Sequence, residues 1–131
     1  MSPDTSSAPD QRLVLEIPAD PAHLVTARVF AQSVGHHSGM AEDRIVDLTL
    51  AISDAATWLL LAAPSEGSVA IRTTVAEHRV VVEIEPLGFA MPTDEATEFG
   101  GDSKSALELV RALTEDLSVS SAVTFSLLLG G

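Results

Sequence analysis

The stretch AEDRIVDLTLAISDAATWLLLAA (residues 41–63) decides the fold class of this chain. Apolar side chains recur in it at helical spacing over four turns, and they form one stripe: Ile45, Leu48, Ile52, Ala55 and Leu59. Pro64 and Gly67 follow the stretch and mark its end. The pattern predicts one long amphipathic helix whose stripe faces a hydrophobic core.

A short strand and a first helix precede this stretch. RLVLEI (12–17) is an apolar run that Pro18 closes, which is typical of a strand. Asp20 before Pro21 is a helix start, and helical spacing continues to about His36. Residues 1–11 are rich in Ser, Pro and Asp and lack periodicity, so we predict a disordered tail followed by one domain over residues 12–131.

Strands and one more helix follow the long helix. SVAIRTTV (68–75) and RVVVEIE (79–85) predict a hairpin, and residues 86–103 predict a long loop. Helical spacing returns over residues 105–117, and SVSSAVTFSLLL (118–129) predicts two strands around a tight turn. The order β-α-α-β-β-α-β-β predicts an α/β (α+β) two-layer sandwich. Its mixed, mostly antiparallel sheet would be covered on one face by helices.

Composition narrows the class of partner. The 131 residues carry 19 acidic and 7 basic side chains, a formal net charge of −12. This charge disfavours direct nucleic-acid and membrane-surface binding and suits a partner with a basic surface. The chain has no cysteine and therefore no thiolate metal site, and we expect no metal centre. No secretory signal and no apolar run of about 20 residues is apparent, so we expect a cytoplasmic protein.

Three stretches resemble a known family. VDLTLAISDAAT (46–57), LGF (87–89) and SALELVRALTEDLSV (105–119) are similar to segments of the anti-sigma-factor serine kinases. These are small bacterial members of the GHKL ATPase superfamily, which has the histidine-kinase-like ATPase fold. The resemblance covers roughly residues 12–129, and it implies the same two-layer fold.

The family motif on the second helix is altered here. In the family this helix carries a Glu, taken to act as the base, and four residues later an Asn that holds magnesium. The resemblance places Asp54 and Trp58 at these positions. Asp54 keeps the charge, whereas an indole has one N–H donor and no oxygen with which to bind magnesium. We therefore expect no metal at position 58.

The adenine-binding motif, Asp-x-Gly-x-Gly in the family, is also altered. The resemblance places Ile84 at the Asp position and Pro86 at the first glycine, and Gly88 alone is retained. Glu85 is one residue away, but strand alternation points it to the opposite face of the sheet. We therefore expect no carboxylate that reads the adenine amino group.

The third family motif is Gly-x-Gly at the start of the last helix, where backbone amides approach the phosphates. Here Lys104 and Ala106 occupy these positions. Lys104 supplies a positive charge for a phosphate, but the close amide approach that glycine allows is hindered. The degenerate nucleotide pocket would thus consist of Asp54, Trp58, Gly88 and Lys104.

The resemblance, with its altered motifs, implies a regulator that acts without catalysis and without a cofactor. Such a protein binds a sigma factor or an anti-sigma antagonist in a partner-switching pathway, and dimerisation is common in the family. Trp58 either fills the vacated nucleotide cavity or is ordinary packing under the long loop. Arg28, on the first helix, is either a partner contact or a surface arginine whose alkyl stem lies along apolar neighbours.

Two alternatives of a different class remain open. One is an active ATP-Mg-dependent serine kinase that phosphorylates an anti-sigma antagonist, with Asp54 as its base. The other is a sensor that uses the old nucleotide cavity for another small ligand. Both would require a ligand to enter the crevice beside Trp58.

Overall fold

A computed structural model describes residues 11–60, 66–92 and 101–130, with backbone alone at Gln11 and at residues 101–106. The predicted tail over residues 1–10 and residues 93–100 of the predicted loop lie outside these ranges. The elements in chain order are β1 (Gln11–Pro18), a 3-10 turn (Pro21–His23), α1 (Leu24–His37), α2 (Glu42–Leu60), β2 (Ser68–Ala76), β3 (Arg79–Leu87), α3 (Gly101–Leu113), β4 (Glu115–Val119) and β5 (Val123–Leu128).

The five strands form one sheet in the order β1-β2-β3-β5-β4. Every neighbouring pair is antiparallel. The α+β two-layer sandwich is thereby confirmed, and within the described ranges the sheet contains no parallel pair, where the sequence suggested a mixed one. Helix α3 crosses from β3 to β4 at the far edge, and β5 then returns between them.

The core lies between the sheet and helix α2. The predicted stripe of α2 is buried along its whole length, and Leu48, Ile52, Ala55 and Leu59 are fully inaccessible to solvent. Alternate residues of the central strands meet it, with Ile71 of β2 paired to Ile84 of β3. Each buried leucine or isoleucine of this core stabilises the fold by about 1.5–3 kcal/mol through removal from water.

Strand β1 forms one edge of the sheet. The N–H of Ala19 donates to the carbonyl of Gly67 (2.8 Å), which continues the β1–β2 register. Because hydrogen-bonding direction alternates along a strand, Arg12, Val14, Glu16 and Pro18 direct their backbone groups to the free side. Pro18 therefore ends the strand without the loss of a hydrogen bond to β2.

The last helix begins and ends four residues earlier than the sequence predicted. It spans Gly101–Leu113, and Leu117 lies in β4 instead. The hydroxyl of Thr114 donates to the carbonyl of Val110 at the helix end, and Asp116 has a φ of 60°, which no helix accommodates. The prediction was wrong because Leu117 lies four residues after Leu113 and so continues the helical spacing.

Two other boundaries differ from the prediction. Strand β1 starts at Gln11, so the predicted tail of residues 1–11 is one residue too long. Strand β3 continues to Leu87, and α3 already includes residues 101–103, so both ends of the predicted loop belong to regular elements. The β2–β3 connection is a two-residue turn at Glu77 and His78, both with positive φ, as tight hairpins require.

Helices α1 and α2 approach each other closely at Gly35. A Cβ at this position would lie 2.7 Å from Cγ1 and 3.2 Å from Cγ2 of Ile45, a buried residue of α2. Gly35 itself is buried within helix α1. A glycine here is therefore explained by the space between the helices.

We expect Gly35→Ala to destabilise the protein by about 1 kcal/mol. Overpacking costs about 1–3 kcal/mol, and the better helix propensity of alanine returns at most about 1 kcal/mol. Urea unfolding followed by the fluorescence of the single tryptophan measures the change. In an Ile45→Ala background the cost of Gly35→Ala should vanish, and additive effects would contradict the close contact.

Candidate functional site

Asp54 and Trp58 lie one turn apart on the same face of α2. Trp58 is 4% exposed and belongs to the hydrophobic core, whereas Asp54 is half-buried. The indole Nε1–H is buried and has no hydrogen-bond acceptor among the described residues, so the carboxylate one turn away does not accept from it. A buried donor that finds no acceptor costs about 1–3 kcal/mol.

Arg28 connects α1 to this region of α2. Its Nε donates to the hydroxyl of Ser53 (3.0 Å), a buried side chain next to Asp54. Burial raises the pKa of the Asp54 carboxyl, and the positive charge of Arg28 partly lowers it again. The carboxylate, the guanidinium and the hydroxyl thus form one polar group across the two helices.

Arg28 is held in place more firmly than an arginine that only snorkels from the surface. The residue remains exposed while its guanidinium bonds to Ser53. Sequence reasoning missed Ser53, because residues 28 and 53 are 25 positions apart and nothing in the sequence pairs them. Its only local signal is a serine within the otherwise apolar run of α2.

The positions that correspond to the adenine motif take structural roles. Ile84 is fully buried in the sheet, and Glu85 lies on the opposite face, where it pairs with Arg72 at 2.9 Å. The alternation predicted from the sequence is therefore confirmed. Gly88 has a φ of 86°, a conformation that favours glycine, and it follows β3 directly.

The turn at Gly88 packs against the segment before β2. A Cβ on Gly67 would lie 2.5 Å from the ring of Phe89, and a Cβ on Gly88 would lie 3.7 Å from the backbone of Gly67. Both glycines thus have packing and backbone reasons to be present. The glycine at position 88 is thus explained by this turn.

Lys104 lies in the first turn of α3, and its side chain lies outside the described part of the structure. The structure therefore brings Asp54, Trp58 and Arg28 to one region of α2, and it places Gly88 in a separate turn at the end of β3. Within the described ranges, no group of three or more His, Cys, Asp or Glu side chains is positioned to hold a metal ion.

Exposed apolar side chains on the outer side of the helices were not anticipated from the sequence. Val25 and Val29 are one turn apart on α1, and Val46 and Leu50 are one turn apart on α2. We name these four residues the outer stripe. Val46 and Leu50 line a groove between the two helices, which is bounded on the α1 side by Gln32 and His36. The signal available in the sequence was the i, i+4 spacing within each pair of the outer stripe, because these residues lie outside the buried stripe of α2.

No protein-family model matches this chain, and no curated protein matches it either. Among the helices that the structure describes, none has both the length and the apolar character needed to cross a membrane. The site must therefore be interpreted from its own geometry.

We expect Asp54→Asn to stabilise the protein at neutral pH. Burial favours the protonated carboxyl in the folded state, so ionised Asp54 opposes folding above its raised pKa. The cost is lost as pH falls through that pKa towards the ordinary value of 3.8. The free energies of unfolding of wild type and variant, measured across this pH range, should converge at low pH.

Two controls make this test specific. Arg28→Met should raise the pKa of Asp54 further, which a carboxyl NMR titration measures. Asp43→Asn, in the first turn of the same helix, should slightly destabilise because it removes a favourable charge at the helix N-terminus. If Asp54→Asn destabilised the protein at neutral pH, that result would contradict a raised pKa of Asp54.

Proposed function

We propose that this protein is a regulator of the anti-sigma type that acts by binding a protein partner and not by phosphoryl transfer. The partner is a sigma factor or an anti-sigma antagonist in a partner-switching pathway. The proposal rests on the resemblance of the second helix and the last helix to anti-sigma-factor serine kinases, together with the altered chemistry of the motif positions.

The burial of Trp58 carries the proposal. This residue stands where the family has its magnesium ligand, and it is a core residue that presents no oxygen. Ile84, at the position of the adenine-reading carboxylate, is fully buried and apolar. Phosphoryl transfer depends on a metal and on precise positioning of the phosphates, and both positions lack the groups for it.

The surface of α1 and α2 supports binding by docking. Arg28 is an exposed cation fixed by Ser53, so little side-chain entropy remains to be lost when a partner pairs with it. The outer stripe lies on the same two helices and offers exposed apolar area. Apolar anchors next to a positioned arginine are typical of protein interfaces.

An active serine kinase is the second candidate, because one observation favours it. The raised pKa of Asp54 is a property that a general base needs, since a base works best when its pKa approaches the operating pH. Against this, the carboxylate lies beside an indole where a kinase needs a metal. Nucleotide binding separates the two candidates.

We expect ATP with Mg²⁺ to leave both the melting temperature and the fluorescence of Trp58 unchanged. Because Trp58 is the only tryptophan, its emission reports directly on this region. A ligand at 100 times its Kd would stabilise the fold by about 2.7 kcal/mol and raise melting by roughly 5 °C or more. A saturable rise in melting temperature would support the kinase instead, provided that phosphoryl transfer is also detected and is lost in Asp54→Asn.

We expect Arg28→Gln to weaken partner binding by roughly tenfold, a typical cost for an interface arginine. Purified sigma factors and antagonists of the source organism are the probes, and surface plasmon resonance is the measurement. Arg111→Gln, an exposed arginine on α3, is the matched control and should change affinity by less than about twofold. Equal effects of the two variants would exclude Arg28 from the interface.

A further inference from the structure

The face of the sheet opposite the helices carries a depression of about 380 Å³. It lies over β1, β2, β3 and β5, and its side chains alternate along these strands with those that enter the core. Two arginines, one glutamate, two threonines and one valine line it: Arg12, Arg72, Thr74, Val81, Glu83 and Thr124. Both signs of charge, hydroxyl groups and an apolar side chain thus meet on the side of the sheet away from α2.

The strand register brings these side chains together. Arg12 lies opposite Thr74, and Thr74 lies opposite Val81, so these three residues form one row across the sheet. Arg72 lies opposite Glu83 in the adjacent row of the same face. Neighbouring strands are about 4.8 Å apart and successive residues of one face about 6.8 Å apart, so both arginines border the space above Thr74.

The ion pairs on this face leave hydrogen-bonding atoms available to a ligand. Arg72 makes both of its ion pairs through Nη1, to Oε1 of Glu83 (3.3 Å) and to Oε1 of Glu85 (2.9 Å). Within the described ranges, Nε and Nη2 of Arg72 and Oε2 of Glu83 make no hydrogen bond. Arg12 is exposed and forms no ion pair with any described residue.

The charges of the depression indicate the class of ligand. The Nε–Nη2 edge of an arginine matches the two oxygens of a carboxylate, and a carboxylate oxygen without a partner accepts from an ammonium group. A purely anionic ligand would be repelled by the net charge of −12 and would also face Glu83. A zwitterion has a net charge of zero, so it escapes this repulsion and complements both signs of charge in the lining.

We propose that this depression binds a free α-amino acid with an aliphatic side chain. The ligand carboxylate pairs with Arg12 and with the Nε–Nη2 edge of Arg72, and the ammonium group donates to Oε2 of Glu83. The ligand side chain lies against Val81, which is 42% exposed, and towards Val14, which is 58% exposed beside Arg72. The volume suits a small molecule. This inference does not depend on the proposed regulatory function.

L-Leucine and two analogues that each lack one charge test the recognition. Isocaproate keeps the carboxylate and the side chain of leucine without the ammonium group, and isoamylamine keeps the ammonium group without the carboxylate. In heteronuclear NMR titrations, leucine should bind with a Kd of about 1 mM or tighter, and each analogue roughly tenfold more weakly. Backbone amides around Thr74 and Val81 should shift, whereas those around Trp58 should not.

Two variants test the individual contacts. Glu83→Gln should weaken leucine binding by roughly tenfold and should not weaken isocaproate binding, because the removed charge faces only the ammonium group. Arg12→Gln should weaken the binding of leucine and isocaproate alike. Glu108→Gln and Arg111→Gln make the same changes at exposed positions of α3 and should leave leucine binding unchanged.

Several results would overturn the proposal. One is the absence of amide shifts in the wild type at about 10 mM leucine, where a site with a Kd of about 1 mM is nearly saturated. Others are equal affinities for leucine and isocaproate, or the same effect of Glu83→Gln and Glu108→Gln on leucine binding. Shifts confined to the amides around Trp58 would place the ligand on α2 and would equally exclude the open face of the sheet.

Discussion

The packing of α2 against α1, α3 and the sheet is the constraint on which the rest of the molecule depends. Only 4% of the residues are aromatic, so the core must be filled by close approach of small and branched side chains. On α1 the contacts are made by Ala27, Ala31 and Gly35, all buried. Because α2 is enclosed in this way, it cannot rotate, and the direction of Asp54 and Trp58 is fixed by residues on its other faces.

The sequence predicted those elements whose burial follows a period. The buried stripe of α2 and the β2–β3 hairpin were both predicted correctly. The last helix was misplaced because Leu113 and Leu117 continue a helical spacing across Thr114 and Asp116. The helix ends at Leu113, and Asp116, inside β4, has a φ of 60°, a conformation that the sequence of a non-glycine residue does not indicate.

The candidate site also has parts that the sequence predicted and parts that it did not. Spacing alone predicted that Asp54 and Trp58 lie on one face of α2, as they do. The bond from Arg28 to Ser53 was beyond prediction, since it depends on how two helices cross. The unsatisfied indole N–H depends on the positions of all neighbouring acceptors and has no counterpart in a sequence pattern.

Asp54 and Trp58 share one face of α2, and burial affects both side chains. The two side chains do not bond to each other, and burial disfavours the charge of Asp54 while Arg28 partly compensates. Among the described residues, neither group finds a partner that fully offsets its burial.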